Sequence, residues 1–322
     1  MQGETYQTSF WIMLEAAKLY YMAKMPQKEI AERLNVSNVT VSRLLQRAKE
    51  QGVIKFCYDD QYWQLMELAL KIREKFFLQD VMIIDPSFDY GYELNPKEMV
   101  ALETARYLQR TITERDIMGI AWGITMYYMV QYLNPCRKTA NSFVTLHGSI
   151  GKALPRLEVQ SLVKRISMAM GGVPLCLTAP VIYDTAEEYR KALADSQVQK
   201  VISYFDRITI SVSGVGSFYP ELTSPLKDTH QLTDEQMKKL IASGCYCDFI
   251  LHFLDENGRE CSPEFSDRML TIPLDTYKKI PNKVIAASGA QKAYSLRAVL
   301  RGGFADTLII DHELADALIA LE

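Results

Sequence analysis

The sequence has no apolar run approaching the roughly 18 residues a transmembrane helix needs. It also opens without a basic n-region and apolar h-region: MQGETYQTSFWIM is not a secretory leader. A cytoplasmic protein with no membrane partner is therefore expected. The P-loop pattern G-x-x-x-x-G-K-[ST] is missing, and no G-x-G-x-x-G follows a strand, so neither a nucleotide cradle nor a dinucleotide site is supported. Only 4 histidines occur, none at ligand spacing from the Cys245-x-Cys247 pair. No metal and no cofactor is expected. The 6 cysteines (Cys57, Cys136, Cys176, Cys245, Cys247 and Cys261) are scattered through a long chain without an export signal, and they read as reduced thiols.

What is present suits a soluble protein of more than one domain. The 322 residues exceed one small domain, and 48% hydrophobic against 23% charged residues gives enough apolar surface to offset chain entropy. A net charge of only −3 argues against a basic coat over the whole surface. The charge is unevenly spread, however. Lys18, Lys24, Lys28, Arg33, Arg43, Arg47, Lys49 and Lys55 face only Glu29, Glu32 and Glu50 over the same stretch. A local basic excess in an acidic chain fits a small DNA-reading module attached to something else.

That stretch carries helical punctuation. FWIMLEAAKLYYMAK places Ile12, Ala16, Leu19, Tyr20 and Ala23 at three- and four-residue steps. Pro26 suits the first turn of a second helix, QKEIAERL, with Ile30, Ala31 and Leu34 as its buried stripe. After the turn Asn35-Val36-Ser37, Ser37 is a good N-cap for a third helix that Gly52 ends. Two short helices joined by a tight turn, the second one basic, form the helix-turn-helix pattern. Val41, Leu44, Leu45 and Ala48 fall on one face of the third helix, and Val39, Ser42, Arg43, Gln46 and Arg47 on the other. Arg43 and Arg47 can reach guanine or phosphate, Gln46 adenine, and the Val39 methyls thymine. Ser37, Asn38 and Thr40 stand at the helix start, where a phosphate is favoured. VIKFCYDD reads as a short strand or wing. YWQLMELALKIREKF reads as a linking helix with Trp63, Met66, Leu70 and Phe77 available for packing. The expected division is a helix-turn-helix domain over 1–56, a linking helix over 57–79 and an effector domain over 80–322.

From about Asp80 short apolar runs alternate with amphipathic helices. This is the pattern of a mostly parallel, doubly wound α/β domain covered on both faces. The runs are VMIID, DIMGIAWG, SFVTLHG, VPLCLTAPVIY, RITISVSG, FILHFLD, KVIAASG and TLIID. Glu256-Asn257-Gly258 suggests a hairpin after FILHFLD. Several runs end in glycine turns: Gly119 to Gly123, Gly148-Ser149, Gly214 to Ser217, and Ser288-Gly289. Ligands of open α/β sheets bind at such strand ends, and glycines let the backbone approach an anion. Lys292 follows one of these turns and can supply the matching charge.

AAKLYYMAKMPQKEIAERLNVSNVTVSRLLQRAKEQG, GIAWGITMYYM and AASGAQKAYSLRAVLRGGFADTLIIDHELADALI resemble SorC-type sugar-responsive transcription regulators, most closely the deoxyribonucleoside regulator branch, and the resemblance covers nearly the whole chain. It implies a sugar-isomerase-like effector domain, assembly to a homodimer or homotetramer, and an operator response to a phosphosugar. The family's phosphate-binding turn matches Gly123 and Thr125, with Ile124 where a second threonine is common. The late lysine matches Lys292 and an aspartate matches Asp248, next to Cys247 where the family has glycine. A basic residue after the T-L strand is His147 here, beside Gly148 and Ser149. In that branch a lysine at the position of His147 can form a Schiff base with a ribose aldehyde, which imidazole cannot do. Non-covalent binding is therefore expected, with His147 adding pH sensitivity near neutrality.

The expected partners are double-stranded operator DNA and a small phosphorylated sugar or related carbohydrate. Two alternatives share the same pattern. One is a sugar-phosphate isomerase fused to a helix-turn-helix, for which Asp248 is the only carboxylate placed near the pocket. The other is an assembly domain that has lost its ligand.

Overall fold

The structure is a computed structural model that describes residues 10–57, 60–88, 91, 93–151, 155–261, 265 and 267–321. The chain divides into two compact units, Met1–Trp63 and Gln64–Glu322.

In the first unit, α1 (Phe10–Ala17) continues into a widened turn over Lys18–Met22. The turn closes where Ala23 N–H donates to the Lys18 carbonyl at 3.2 Å. Pro26 caps α2 (Gln27–Arg33) from outside, one residue earlier than its expected place in the first turn. Asn35 makes the tight bend, taking the left-handed conformation (φ 52°) that asparagine tolerates better than most residues. Ser37 then caps α3 (Asn38–Glu50), its Oγ accepting from the Thr40 N–H at 3.0 Å. Ile30, Ala31, Val41, Leu44, Leu45 and Ala48 are buried together with Met13, Ala16, Ala17 and Leu19, the small core of a three-helix module. No strand forms over Val53–Cys57, so the expected wing is absent among the described residues; Tyr58 and Asp59 lie outside them.

The linking segment is α4 (Asp60–Phe76), and the residues expected to be covered are largely exposed. Trp63, Met66, Leu70 and Phe77 are exposed, and Ile72 is the buried residue of the helix.

The second unit is a seven-stranded parallel sheet in the order β1-β10-β9-β5-β2-β3-β4. Its strands are β1 (Asp80–Ile84), β2 (Ile117–Ile120), β3 (Ser142–Thr145), β4 (Val173–Leu175), β5 (Ile210–Ser213), β9 (Asn282–Ala287) and β10 (Thr307–Asp311). On one face pack α5 (Pro96–Thr111), α6 (Ile124–Gln131) and α7 (Val159–Met170). On the other, residues of α9 (Ser196–Ile202), α12 (Ala293–Arg301) and α13 (His312–Ile319) form a second apolar layer. Burial on both faces explains why the strands read as continuous apolar runs. Residues 186–202 form two helices, α8 (Ala186–Leu193) and α9, because Asp195 caps the second, accepting from Gln197 and Val198 N–H. Beyond these, α10 (Asp234–Ala242) opens on a Thr233/Gln236 capping box, and α11 (Leu274–Lys278) precedes β9.

A small antiparallel sheet, β6-β7-β8, completes the unit: β6 (Gly216–Ser217), β7 (Cys247–Phe249) and β8 (His252–Leu254). FILHFLD is not one strand. It folds back on itself at Ile250 (φ 52°) and Leu251 (φ 65°), and Phe249 pairs with His252. Positive φ at both central residues suits the right-handed twist of a two-residue hairpin, but glycine or asparagine usually supplies it. The expected turn at Asp255–Gly258 also forms, with the Asp255 N–H donating to the Arg259 carbonyl at 2.8 Å.

Candidate functional site

In the first unit, Ser37, Asn38, Val39, Ser42, Arg43 and Gln46 are exposed on α3, and Thr40 and Arg47 are half-buried. The Thr40 Oγ1 is engaged with the Ser37 Oγ at 2.8 Å, and Gln46 Nε2 donates to Glu50 Oε1 at 3.0 Å. Six residues outside the sequence-based face share the hollow lined by Ser42, Arg43 and Gln46: Tyr20, Tyr21, Gln27, Leu45, Lys49 and Glu50. Gln27 was legible as the start of a helix, where N–H groups and short polar chains meet phosphate.

In the second unit, a cleft opens where β2, β5 and β9 end side by side. The chain runs outward from β2 through β3 and β4 on one side of the β2–β5 junction and from β5 through β9 and β10 on the other, with β1 at that edge. A strand order that reverses leaves a crevice at the carboxyl ends. Its wall is Ala121 to Met126 after β2, Gly214 to Gly216 after β5, Thr223 and Pro225, Asp248 and Ile250 from the hairpin, Gln291 and Lys292 after β9, and Lys97 at the start of α5.

Each wall group has a local reason to be there. Gly123 has φ 133°, closed to residues with a Cβ, and from it α6 starts into the cleft. The first N–H groups of any helix lack acceptors within it and carry partial positive charge. Asp248 is buried; its Oδ2 accepts from Ser224 Oγ and its Oδ1 from the Leu251 N–H, both at 3.0 Å. The second of these bonds holds the left-handed hairpin closed beside the cleft. Burial pushes the Asp248 carboxyl up to about 6, in spite of those bonds and of His252 and Lys292. Burial, helped by the neighbouring Lys97, lowers Lys292 to about 8, against the pull of Asp311 and Asp248. The Thr223 Oγ1 is buried and has no hydrogen-bond partner among the described residues.

Of the sequence-based effector residues, Gly123, Ile124, Thr125, Asp248 and Lys292 come together in this wall. His147, Gly148 and Ser149 do not line it. His147 is fully buried: its Nδ1 bonds the Gly148 carbonyl at 2.8 Å and its Nε2 accepts the Trp122 N–H at 3.2 Å. Burial lowers its pKa to about 4, so the imidazole is neutral at neutral pH and the expected pH sensitivity near 7 is absent. Gly148 is glycine because a Cβ there would stand 2.6 Å from the Ala179 carbonyl oxygen. Ser149 Oγ donates to Glu158 at 3.2 Å. Lys97, Trp122, Thr223 and Gln291 were missed. Lys97 precedes a helical stripe and looks like any solvated helix-start lysine; only the long-range path of α5 over the sheet brings it to the cleft. No group of three or more His, Cys, Asp or Glu among the described residues can hold a metal ion.

A helix-turn-helix unit joined to a doubly wound α/β unit with a polar strand-end cleft defines a ligand-responsive regulator of transcription. The chain belongs to the sugar-binding regulator family, since residues 60–320 match the Sugar-bind family model, described as "Putative sugar-binding domain". Residues 18–51 match the helix-turn-helix model "Sigma-70, region 4". The chain is 29% identical to the deoxyribonucleoside regulator of Bacillus subtilis over 309 residues, covering 96% of this chain and 97% of the relative. It is 25% identical to the sorbitol operon regulator of Klebsiella pneumoniae, covering 96% and 97%. The crystal structure of full-length SorC from K. pneumoniae shares the fold at TM-score 0.73 and 21% identity, over 97% of this chain and 99% of that one. These relatives are transcription regulators, which sets the isomerase alternative aside. No helix of the described residues is long and apolar enough to cross a membrane.

Proposed function

We propose that the strand-end cleft binds a phosphorylated sugar non-covalently, and that this binding controls the hold of the first unit on operator DNA. The observation that carries the reading is the pairing of two lysines, Lys97 and Lys292, with the start of α6 on one cleft and the Asp248 carboxylate in the same wall. Cations and free N–H groups suit a phosphate. Asp248 and the unpartnered Thr223 hydroxyl suit sugar hydroxyls. Schiff-base chemistry at position 147 is excluded on chemical grounds, because imidazole has no primary amine.

Residues 1–56 act as the reader module, residues 57–79 as the link and residues 80–322 as the sensor. Ser37, Asn38 and Thr40 meet phosphates, while Val39, Ser42, Arg43, Gln46 and Arg47 meet base edges or the flanking backbone. A cytoplasmic homodimer or homotetramer fits paired operator half-sites.

A thermal-shift panel of free and phosphorylated pentoses, hexoses and polyols tests this. A ligand at about a hundred times its dissociation constant stabilises by roughly 2.7 kcal/mol, a rise of a few degrees. A shift with a phosphosugar and none with its free form supports the reading; equal shifts with both overturn the phosphate half of it.

A further inference from the structure

A second crevice, mostly apolar but lined by three arginines, lies at the opposite end of the same sheet. Ile112 precedes β2 and Thr139 precedes β3, so the crevice opens at the amino ends of the strands, across the sheet from the sugar cleft. Arg106 and Arg110 enter it from the last turns of α5, and Arg137 from the loop before β3. The floor is apolar, with Ile112 and Met170.

Two features set this crevice apart from an ordinary solvated face. First, three arginines and no carboxylate line the crevice, in a chain with 39 acidic and 36 basic residues. Arg106 pairs with Glu103 on its own helix. Second, Thr139, only 5% exposed, lines the crevice with an Oγ1 that has no hydrogen-bond partner among the described residues. A buried hydroxyl left unpaired costs about 1–3 kcal/mol, so such groups ordinarily have a partner. Guanidinium forks bind phosphate oxygens bidentately, and a hydroxyl adds a further contact to the same group.

We infer that this crevice is a second anion site, distinct from the sugar cleft, that takes a phosphate-bearing small molecule through Arg110, Arg137 and Thr139. Arg110 and Arg137 together exceed what one carboxylate needs and match a phosphate dianion. A bound phosphate would tie the end of α5 to the loop leading into β3. Because α5 starts at Lys97 in the sugar cleft and ends at this crevice, occupancy here bears on the helix that carries a cleft lysine.

The test is calorimetric titration of the full chain with pyrophosphate. Lys292→Met removes the main cation of the sugar cleft and so isolates the crevice. In that background pyrophosphate still binds, and adding Arg110→Gln and Arg137→Gln weakens it about tenfold or more. Thr139→Val keeps the side-chain shape and loses the hydroxyl. It weakens pyrophosphate several-fold with a melting temperature equal to or above that of the parent, which separates lost binding from lost folding. Abolition of all binding by Lys292→Met alone, or unchanged binding in the arginine and Thr139 variants, overturns the crevice site. Neither result touches the sugar-cleft reading, which the phosphosugar panel tests separately.

Discussion

His147 Nε2 accepts the backbone N–H of Trp122 across 3.2 Å, so an imidazole that looks like a ligand group serves the backbone of the cleft wall instead. The ring is spoken for at both nitrogens, with Nδ1–H donating to the Gly148 carbonyl. Its role is to hold the strand end from which Gly123 and α6 depart. His147→Ala leaves the Trp122 N–H without its acceptor and opens a cavity in the core. A loss of about 2–4 kcal/mol of stability is expected by urea unfolding. His147→Gln, able to offer both an acceptor and a donor, loses less.

The same burial sets a pH signature. His147 has a folded pKa of about 4, below its unfolded value, so it contributes stability that is lost as pH falls through the window from about 6.5 to 4. Asp248 runs the other way. Its folded pKa of about 6 lies above its unfolded value, so the folded state binds the extra proton and stability rises as pH falls through about 6 to 4. The two trends offset each other in the native chain. Asp248→Asn removes one of them, and the variant is expected to lose stability on acidification faster than the parent, read as melting temperature from pH 7 to 4.5. Parallel curves would show that the two groups are not linked to folding as described.

On the DNA side, Arg43 is exposed on α3 with Gln27 and Lys49 around the same hollow. Arg43→Ala should cost about 1–3 kcal/mol of operator affinity and relax preference at one base pair. Gln27, at the start of α2 beside the same hollow, suits a phosphate contact, so Gln27→Ala should weaken all sequences alike. Binding curves on the operator and on single-base variants separate the two; uniform loss with Arg43→Ala would move that residue to the phosphate contacts.

The parts that were legible in the sequence are those fixed by local periodicity. The buried face of α3, its Ser37 cap and the strand–glycine alternation of the second unit depend on neighbours three, four or two residues away. What failed depends on distant partners or on a broken local rule. FILHFLD carries no turn residue, yet it bends at Ile250 and Leu251. The bend is held by Asp248 and by burial, and strain of this kind collects at functional sites. Trp63, Met66 and Leu70 follow a helical stripe, but the pattern does not say whether anything covers it, and in this chain they are exposed. His147 stands where a strand ends and so reads as a pocket residue. Side-chain direction there is set by the backbone of Trp122, 25 residues away.

Lys292 makes the last prediction a trade of stability for response. Its amine is held down to about 8 by burial and by Lys97, well under its unfolded value, so a charged Lys292 costs the empty protein stability at neutral pH. Between about 8 and 10.5 the folded state has already released the proton that the unfolded state keeps, so the contribution to stability improves as pH rises through that window. Lys292→Met keeps the length and discards the charge. The unliganded variant is expected to melt a few degrees higher than the parent at pH 7 while losing its shift with the phosphosugar. On the proposed phosphosugar reading, a phosphate bound above pH 8 draws a proton back onto Lys292. Effector affinity should therefore hold below about pH 8 and fall above it, by up to about tenfold per pH unit. Calorimetric titration from pH 7 to 9.5 reads this directly, and an affinity that stays flat across pH 8 would remove Lys292 from the phosphate contact.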